Sequence, residues 1–392
     1  MSRLLIISLD AVSSDEFDHL CTYPNTKAFV KDASMNLSVQ SVFLSNTYPV
    51  HASISTGKMP REHGLTSNTE AFPHHLAKWK IKESDIKGKT IWQAAARAGL
   101  SVATVFWPST GGSKHIRYNI PEIPFMRNTN LPLAYLKEGH SALVLRMMIR
   151  HSRHLAKVVK ALQPGLDSFI TACAADLLEH KKPDLTMVHL TAYDTLRHKY
   201  GGDKQKLKAA YRSLDRSLGI LRKAAGEDVT ILILSDHGQF DVHTAISPNE
   251  WLRERGLLHK KGREWKKGAS GCFFECCAGS AFFHSGSLRL NQVAEIKELV
   301  EQSEGFARFL TPEERTLAGK QNTAFGFAAK KGYMYGAEKK GDCSNHGYPL
   351  DYPGYEVFYG VKGEGFLPEE KRCGGSLLDI APLAAKILKI DW

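Results

Sequence analysis

Three uninterrupted apolar runs constrain this chain more than any other feature: Leu4-Leu5-Ile6-Ile7-Ser8-Leu9, Leu185-Thr186-Met187-Val188-His189-Leu190 and Val229-Thr230-Ile231-Leu232-Ile233-Leu234. A strand with one wet face alternates apolar and polar residues, whereas a strand covered on both faces reads as a continuous apolar stretch. Each run is far shorter than the roughly 20 residues needed to span a bilayer. They therefore predict central strands of a largely parallel sheet flanked by helices. Between them the period changes. Leu207, Tyr211, Leu214, Leu218 and Leu221 step by four, three, four and three, an amphipathic helix leading through Gly226 into the Val229 run. Thr90 to Ala98 reads as a short helix stopped at Gly99 and followed by a strand from Ser101 to Trp107. This alternation is the rhythm of βαβ units, so the expected fold class is α/β.

The residues at the end of each run bear on chemistry. Asp10 closes the first run, Asp194 and His198 come after the second four residues apart, and Asp236 and His237 close the third after Ser235. The spacing of Asp194 and His198 puts both on one side of a helical turn. In an open α/β sheet, ligands gather outside the carboxyl ends of the strands, and all three groups fall there. Singly, each is ordinary: an aspartate at a strand end is often a helix cap, and a histidine before glycine is often a turn residue. Together with Thr47 and His346 they read as one set of ligands for a pair of metal ions.

Two stretches break the rhythm, about 108–165 and 239–345, and are expected to be insertions covering the active-site edge of a single domain spanning 1–392. After His346 the core returns with Tyr355 to Tyr359 and a final helix from Ser376. The formal net charge of +11 favours anionic partners such as phosphorylated substrates, nucleic acid or acidic lipid. No nucleic-acid module is recognisable, which sets that class aside. The basic residues Arg146, Arg150, Arg153, Lys157 and Lys160, with Leu143, Met147 and Leu155, suggest a helical segment from Arg146 to Gln163, either a solvated face or a phosphate-steering wall. Four apolar residues between Arg3 and Ser8 are too few for a secretion signal. Seven cysteines, an odd count, are better read as reduced thiols, and a cytoplasmic location is expected. Cys272, Cys276 and Cys277 lack the spacing of a zinc knuckle and are expected as small buried residues in a strand.

Five short motifs occur in order along the chain: Asp10 after its strand; Asn46-Thr47-Tyr48-Pro49-Val50-His51, then Thr56 to Gly64; Asp194-Thr195-Leu196-Arg197-His198; Ser235-Asp236-His237-Gly238; and Asn345-His346-Gly347-Tyr348. In that order they resemble the type I phosphodiesterase/nucleotide pyrophosphatase family of the alkaline phosphatase superfamily, over nearly the whole chain. The resemblance implies an alkaline phosphatase-like core with cap insertions. It implies one zinc held by Asp10, Thr47, Asp236 and His237, and a second held by Asp194, His198 and His346, with magnesium or manganese as substitutes. Thr47 would be the nucleophile of a covalent phosphothreonine mechanism, and Asn68 would contact a non-bridging phosphoryl oxygen.

The expected substrate is a small phosphorylated molecule, a nucleotide among the candidates, cleaved at a phosphodiester or phosphoanhydride bond. Tyr48 keeps the aromatic position after the nucleophile that nucleotide-cleaving members use for stacking. Five residues before Asp194 those members carry a tyrosine, and here stands His189, expected as a substrate contact of smaller area. A phosphonate hydrolase, of the phosphonoacetate hydrolase kind, or a phosphomonoesterase would use the same metal set. A non-enzymatic basic binding protein would need none. Of the other histidines, His51 and His63 are expected to support the nucleophile loop, and His74, His75, His140, His151, His154, His180 and His243 to be solvated or peripheral.

Overall fold

The computed structural model describes every residue except 1, 73–77, 125–129, 155, 156, 159, 161, 263 and 337–341. His74, His75 and Leu155 lie outside the described residues. The three apolar runs become neighbouring strands. Arg3–Leu9 sits between Leu185–Leu190 and Val229–Leu234, parallel to both, with Ile6 opposite Met187 on one side and Leu232 on the other. They form the centre of an eight-stranded sheet. Its order runs Lys371–Arg372, Ser34–Val39, Val357–Lys362, Val229–Leu234, Arg3–Leu9, Leu185–Leu190, Val102–Val105 and Tyr118–Ile120. Only Val357–Lys362 is antiparallel to its neighbours, so the sheet is mixed but largely parallel.

Continuous apolarity follows from burial on both sides. Leu5, Ile7 and Leu9 join one core with the helices Gly165–His180 and Lys204–Ala225, while Leu4 and Ile6 join another with Thr47–Thr56, Ile91–Arg97 and Ile380–Leu388. Successive residues thus face opposite layers, and neither face can be polar. Thr90 starts the Ile91–Arg97 helix through a capping box with Gln93. The expected basic helix from Arg146 to Gln163 is not one element. Ser141–Arg150 is helical, His151 ends it, a 3-10 turn spans Ser152–His154, and a new helix begins at Gly165.

The stretch from Phe240 to Asn345 builds its own layer. Phe273–Cys277, Ser280–His284, Phe325–Ala329 and Phe306–Phe309 form an antiparallel sheet around a separate aromatic core that includes Phe274, Phe283 and Phe327. Cys272 and Cys277 are buried there, Cys276 is half-buried, and all seven cysteines are unpaired. The Phe240–Ile246 strand pairs in parallel with Gly332–Tyr335 and antiparallel with Ser344–Asn345.

The antiparallel strand is pinned to the sheet's helical layer by Phe358, fully buried, whose ring stacks on Phe17 at 3.7 Å. Phe358→Ala should lower stability by about 3–5 kcal/mol through lost burial and a cavity. Urea unfolding would show this as an earlier midpoint with an unchanged native circular dichroism spectrum; an unshifted midpoint would mean that the strand is held by its backbone pairing alone.

Candidate metal centre

The fold delivers every expected site residue to one edge of the sheet. Asp10 is the first residue after Arg3–Leu9, and Asp236 and His237 follow Val229–Leu234. Asp194 and His198 share the helix Ala192–Tyr200, which comes after Leu185–Leu190. Buried Asp167 fixes the start of that helix, its carboxylate accepting from the Thr191 and Ala192 backbone N–H groups at 3.1 and 3.0 Å. Thr47 opens the wholly buried helix Thr47–Thr56. His346 arrives from far along the chain, brought in because Asn345 pairs with Phe240.

Asp10, Asp236 and His237 bring their ligand atoms together, and so do Asp194, His198 and His346. In the first group His237 Nε2 lies 3.6 Å from Asp10 Oδ1, 3.3 Å from Asp236 Oδ2 and 3.2 Å from Thr47 Oγ1. Ligands placed tetrahedrally about 2.0–2.1 Å from a zinc ion are separated from one another by roughly 3.3 Å, the spacing found here. Asp10 Oδ1 and Asp236 Oδ2 are buried and accept no hydrogen bond. Their partner oxygens are used otherwise: Asp236 Oδ1 accepts from the Ala11 N–H at 3.0 Å, and Asp10 Oδ2 lies 3.2 Å from His189 Nε2. In the second group His198 Nε2 is 3.3 Å from Asp194 Oδ1, and the His346 ring packs 4.2 Å from that of His237.

The outer nitrogens of His237 and His346 are hydrogen-bonded, and that of His198 faces a carboxylate. His237 Nδ1 faces the Gly238 carbonyl at 3.2 Å, His346 Nδ1 faces Asn46 Oδ1 at 2.9 Å and the Ser45 carbonyl at 3.1 Å, and His198 Nδ1 lies 3.2 Å from Asp342. A proton on Nδ1 of His237 and of His346 leaves each Nε2 lone pair for the centre of the site, the arrangement that orients metal-binding imidazoles, whereas at His198 burial is outweighed by Asp194 and Asp342, which raise its pKa. Burial holds His237 down at about 4 and, with His237 and His198 close by, His346 at about 3, so both rings are neutral ligands near neutral pH. Burial also raises Asp236 to about 6, and burial together with Asp194 and Asp236 raises Asp10 well above the carboxylate range. Carboxylates crowded into a dry space and short of donors are the electrostatic signature of a cation site. The residues fit divalent cations.

Next to this cluster lies a cavity of about 300 Å³. Asp10, Thr47, Tyr48, Asn68, Asp194 and His198 line its inner end, and Trp79, Phe106, Glu122, Tyr135, Val158 and Leu166 are among those lining the rest. Asn68 Oδ1 accepts from the Tyr48 backbone N–H at 3.0 Å, which leaves its amide N–H groups free for another acceptor. Tyr48 lines the cavity with its ring 5.2 Å from Trp79, though none of its surface is open to water.

The expectation for His189 needs correction. It is fully buried and absent from the cavity wall, lying beneath it with Nε2 toward Asp10 and Nδ1 2.9 Å from Glu122. Burial opposes its protonation, but Asp10 and Glu122 outweigh that and raise its pKa. The parity of its strand explains the place: Leu185 and Met187, alternate residues of the same strand, face the layer containing Thr47–Thr56, and His189 meets His51 there at 4.3 Å. His51 holds the Thr47 carbonyl through Nδ1 at 2.8 Å and Ser8 through Nε2 at 3.0 Å, and His63 reaches Ser53 at 2.9 Å. Trp79, Phe106 and Glu122 went unnoticed in the sequence because irregular segments and strand ends carry no periodic signal.

The architecture is alkaline phosphatase-like. Residues 4–323 match the type I phosphodiesterase / nucleotide pyrophosphatase family, and the chain belongs to it. Similar proteins include venom phosphodiesterase 2 of Crotalus adamanteus, 24% identical over 255 residues, which are 62% of this chain and 27% of the relative. Ectonucleotide pyrophosphatase/phosphodiesterase family member 1 of Homo sapiens is 24% identical over 249 residues, 60% of this chain and 23% of the relative. The chain thus spans about a quarter of the length of these relatives. Among solved structures, an inactive form of murine ectonucleotide pyrophosphatase/phosphodiesterase 5 in complex with AMP superposes with a TM-score of 0.72 at 16% identity, covering 100% of this chain and 96% of that one. The human protein of the same name gives 0.70 at 17% identity, with coverage of 100% and 96%.

Two substitutions test the centre. His346→Ala should lose bound metal and melt earlier, since binding to the folded state adds to stability by about 2.7 kcal/mol when free metal is a hundredfold above the dissociation constant. Elemental analysis and a melting curve would check both, and full metal content would remove His346 from the site. Gly347→Ala should act on the same group indirectly. Gly347 has φ +79°, and a Cβ there would lie 2.1 Å from the Cys277 carbonyl oxygen. The overpacking should cost about 1–3 kcal/mol and displace His346; wild-type stability in this variant would show that the loop yields freely.

Proposed function

We propose that this chain is a two-zinc phosphodiesterase/nucleotide pyrophosphatase working through a covalent phosphothreonine on Thr47. The observation that carries the reading is Thr47 Oγ1, at a helix N-terminus, 3.2 Å from His237 Nε2 and beside the donor-starved oxygens of Asp10 and Asp236. Asp10, Thr47, Asp236 and His237 would hold one ion, and Asp194, His198 and His346 the other. Three imidazoles with carboxylates favour zinc over magnesium or manganese. When bound, two such cations supply Lewis acidity and neutralise charge at both the attacking and the leaving oxygen. Three aspartates and a threonine alkoxide make four negative charges, matching two divalent ions.

Thr47 Oγ1, its proton released to solvent, attacks phosphorus in line. The Oγ1–P bond forms as the bond from phosphorus to the leaving oxygen breaks. Water then cleaves the phosphothreonine and restores the hydroxyl. His51, bonded to the Thr47 carbonyl, holds the nucleophile's backbone in register. Asn68, its oxygen already committed to the Tyr48 N–H, donates its amide N–H to a non-bridging phosphoryl oxygen.

The apolar wall of the cavity supports a phosphoryl group bearing an organic substituent. Phosphonoacetate, small and charged at both ends, would present only charge to Trp79, Phe106, Tyr135, Val158 and Leu166, which do not reward it. A nucleotide is the substrate class we favour, and the AMP held by the murine relative supports it. A purely basic binding protein would have no use for buried carboxylates without donors. The seven unpaired cysteines support a reducing compartment, and we propose the cytoplasm.

Thr47→Ala should retain metal yet lose nearly all hydrolysis of bis-p-nitrophenyl phosphate, whereas Thr47→Ser should keep part of it. Acid quenching during turnover should trap phosphate on the Thr47 peptide of the wild type and none in the alanine variant. Full activity in a metal-loaded Thr47→Ala protein would mean that water attacks directly. Asn68→Ala should keep its metal and lose about 100- to 1000-fold in kcat, the usual effect of removing one such donor; an unaltered kcat would discharge Asn68 from the site.

A further inference from the structure

We infer that the exposed side of the helix Ser141–Arg150, with the described residues near it in the chain, docks on an anionic phospholipid surface. The helix Ser141–Arg150 buries Leu143, Val144 and Met147, yet its other side leaves Leu145 52% and Ile149 67% exposed, one turn apart. Leu133 and Leu162, in the same stretch, are 62% and 52% exposed. Half of the eight large apolar side chains exposed among the described residues therefore fall within this one segment, where a solvated surface would scatter them.

The charge around them has one sign. Lys137, Arg146, Arg150, Arg153, Lys157 and Lys160 face a single acid, Glu138, which is buried and 3.5 Å from Lys82. Among the described residues only Arg150 of the six reaches a carboxylate, Asp176 at 3.1 Å. Exposed leucine and isoleucine interleaved with arginine and lysine is the composition of elements that lie in a headgroup layer, apolar side chains inserted and cations on lipid phosphates. No helix among the described residues is long and apolar enough to cross a membrane, so the contact is peripheral. A second copy is a poorer occupant, since six like charges would meet six. Tyr135 and Val158, buried residues of the same segment, line the cavity, so docking would bring lipid against the outside of one of its walls. This surface does not depend on the proposed chemistry.

The test uses the full chain with vesicles of phosphatidylcholine alone or mixed with phosphatidylglycerol. Sedimentation should recover at least about tenfold more protein with the anionic vesicles at low salt, and added salt should release it. Leu145→Asp/Ile149→Asp and, separately, Arg146→Glu/Lys157→Glu should each abolish recovery while keeping the melting temperature and the hydrolysis of bis-p-nitrophenyl phosphate. Equal recovery with neutral vesicles, undiminished recovery of either variant, or a dimer that the Leu145/Ile149 variant dissolves would overturn the inference. Loss of hydrolysis in the wild type would instead overturn the phosphodiesterase reading and leave this one standing.

Discussion

Asp10, Asp194 and Asp236 sit within reach of one another at the carboxyl edge of a parallel sheet, largely out of water, and their repulsion organises everything around them. Such a group is tolerable only if positive charge is brought in. Backbone donors do part of this, as the Ala11 N–H does for Asp236. Asp10 Oδ1 and Asp236 Oδ2 have no donor, and His237 and His346, held neutral by burial, have Nε2 lone pairs to offer. Cations are the one partner that satisfies the carboxylates and imidazoles at once.

Holding like charges together demands a rigid frame. The strands that end in Asp10 and Asp236 are fixed by parallel pairing in the middle of the sheet, where slippage by one residue would turn every apolar side chain to the wrong layer. Asp167 anchors the helix bearing Asp194 and His198, and His51 anchors Thr47. Thr47, Asp194 and His198 lie in helices and Asp10, Asp236 and His237 come just after central strands, whereas part of the cavity wall, Trp79, Glu122, Ile123 and Pro124, is less directly tied to the sheet's centre.

Much of this was legible in the chain itself. The three apolar runs announced a doubly covered sheet because two apolar layers erase the alternation a one-sided strand shows. The residues directly after them were legible as a site for the same reason, since strand ends in such sheets converge. His189 was misplaced because it was compared with a family position instead of being counted along its own strand; the two-residue period sets it with Leu185 and Met187, under the nucleophile helix. Trp79 and Glu122 had no such count available. The break at His151 was also invisible, since basic and apolar residues continue through it with helical spacing.

The pairing of Asn345 with Phe240 has a consequence for how the site comes into being. Asp10, Thr47, Asp236 and His237 have all been synthesised once residue 237 is made, but His346 follows 109 residues later (346 minus 237). During translation the chain therefore carries the Asp10, Asp236 and His237 cluster well before the cluster that includes His346. The layer between them is synthesised first, whereas Val357–Lys362 of the central sheet follows His346, so the second cluster has all its residues before the sheet has all its strands.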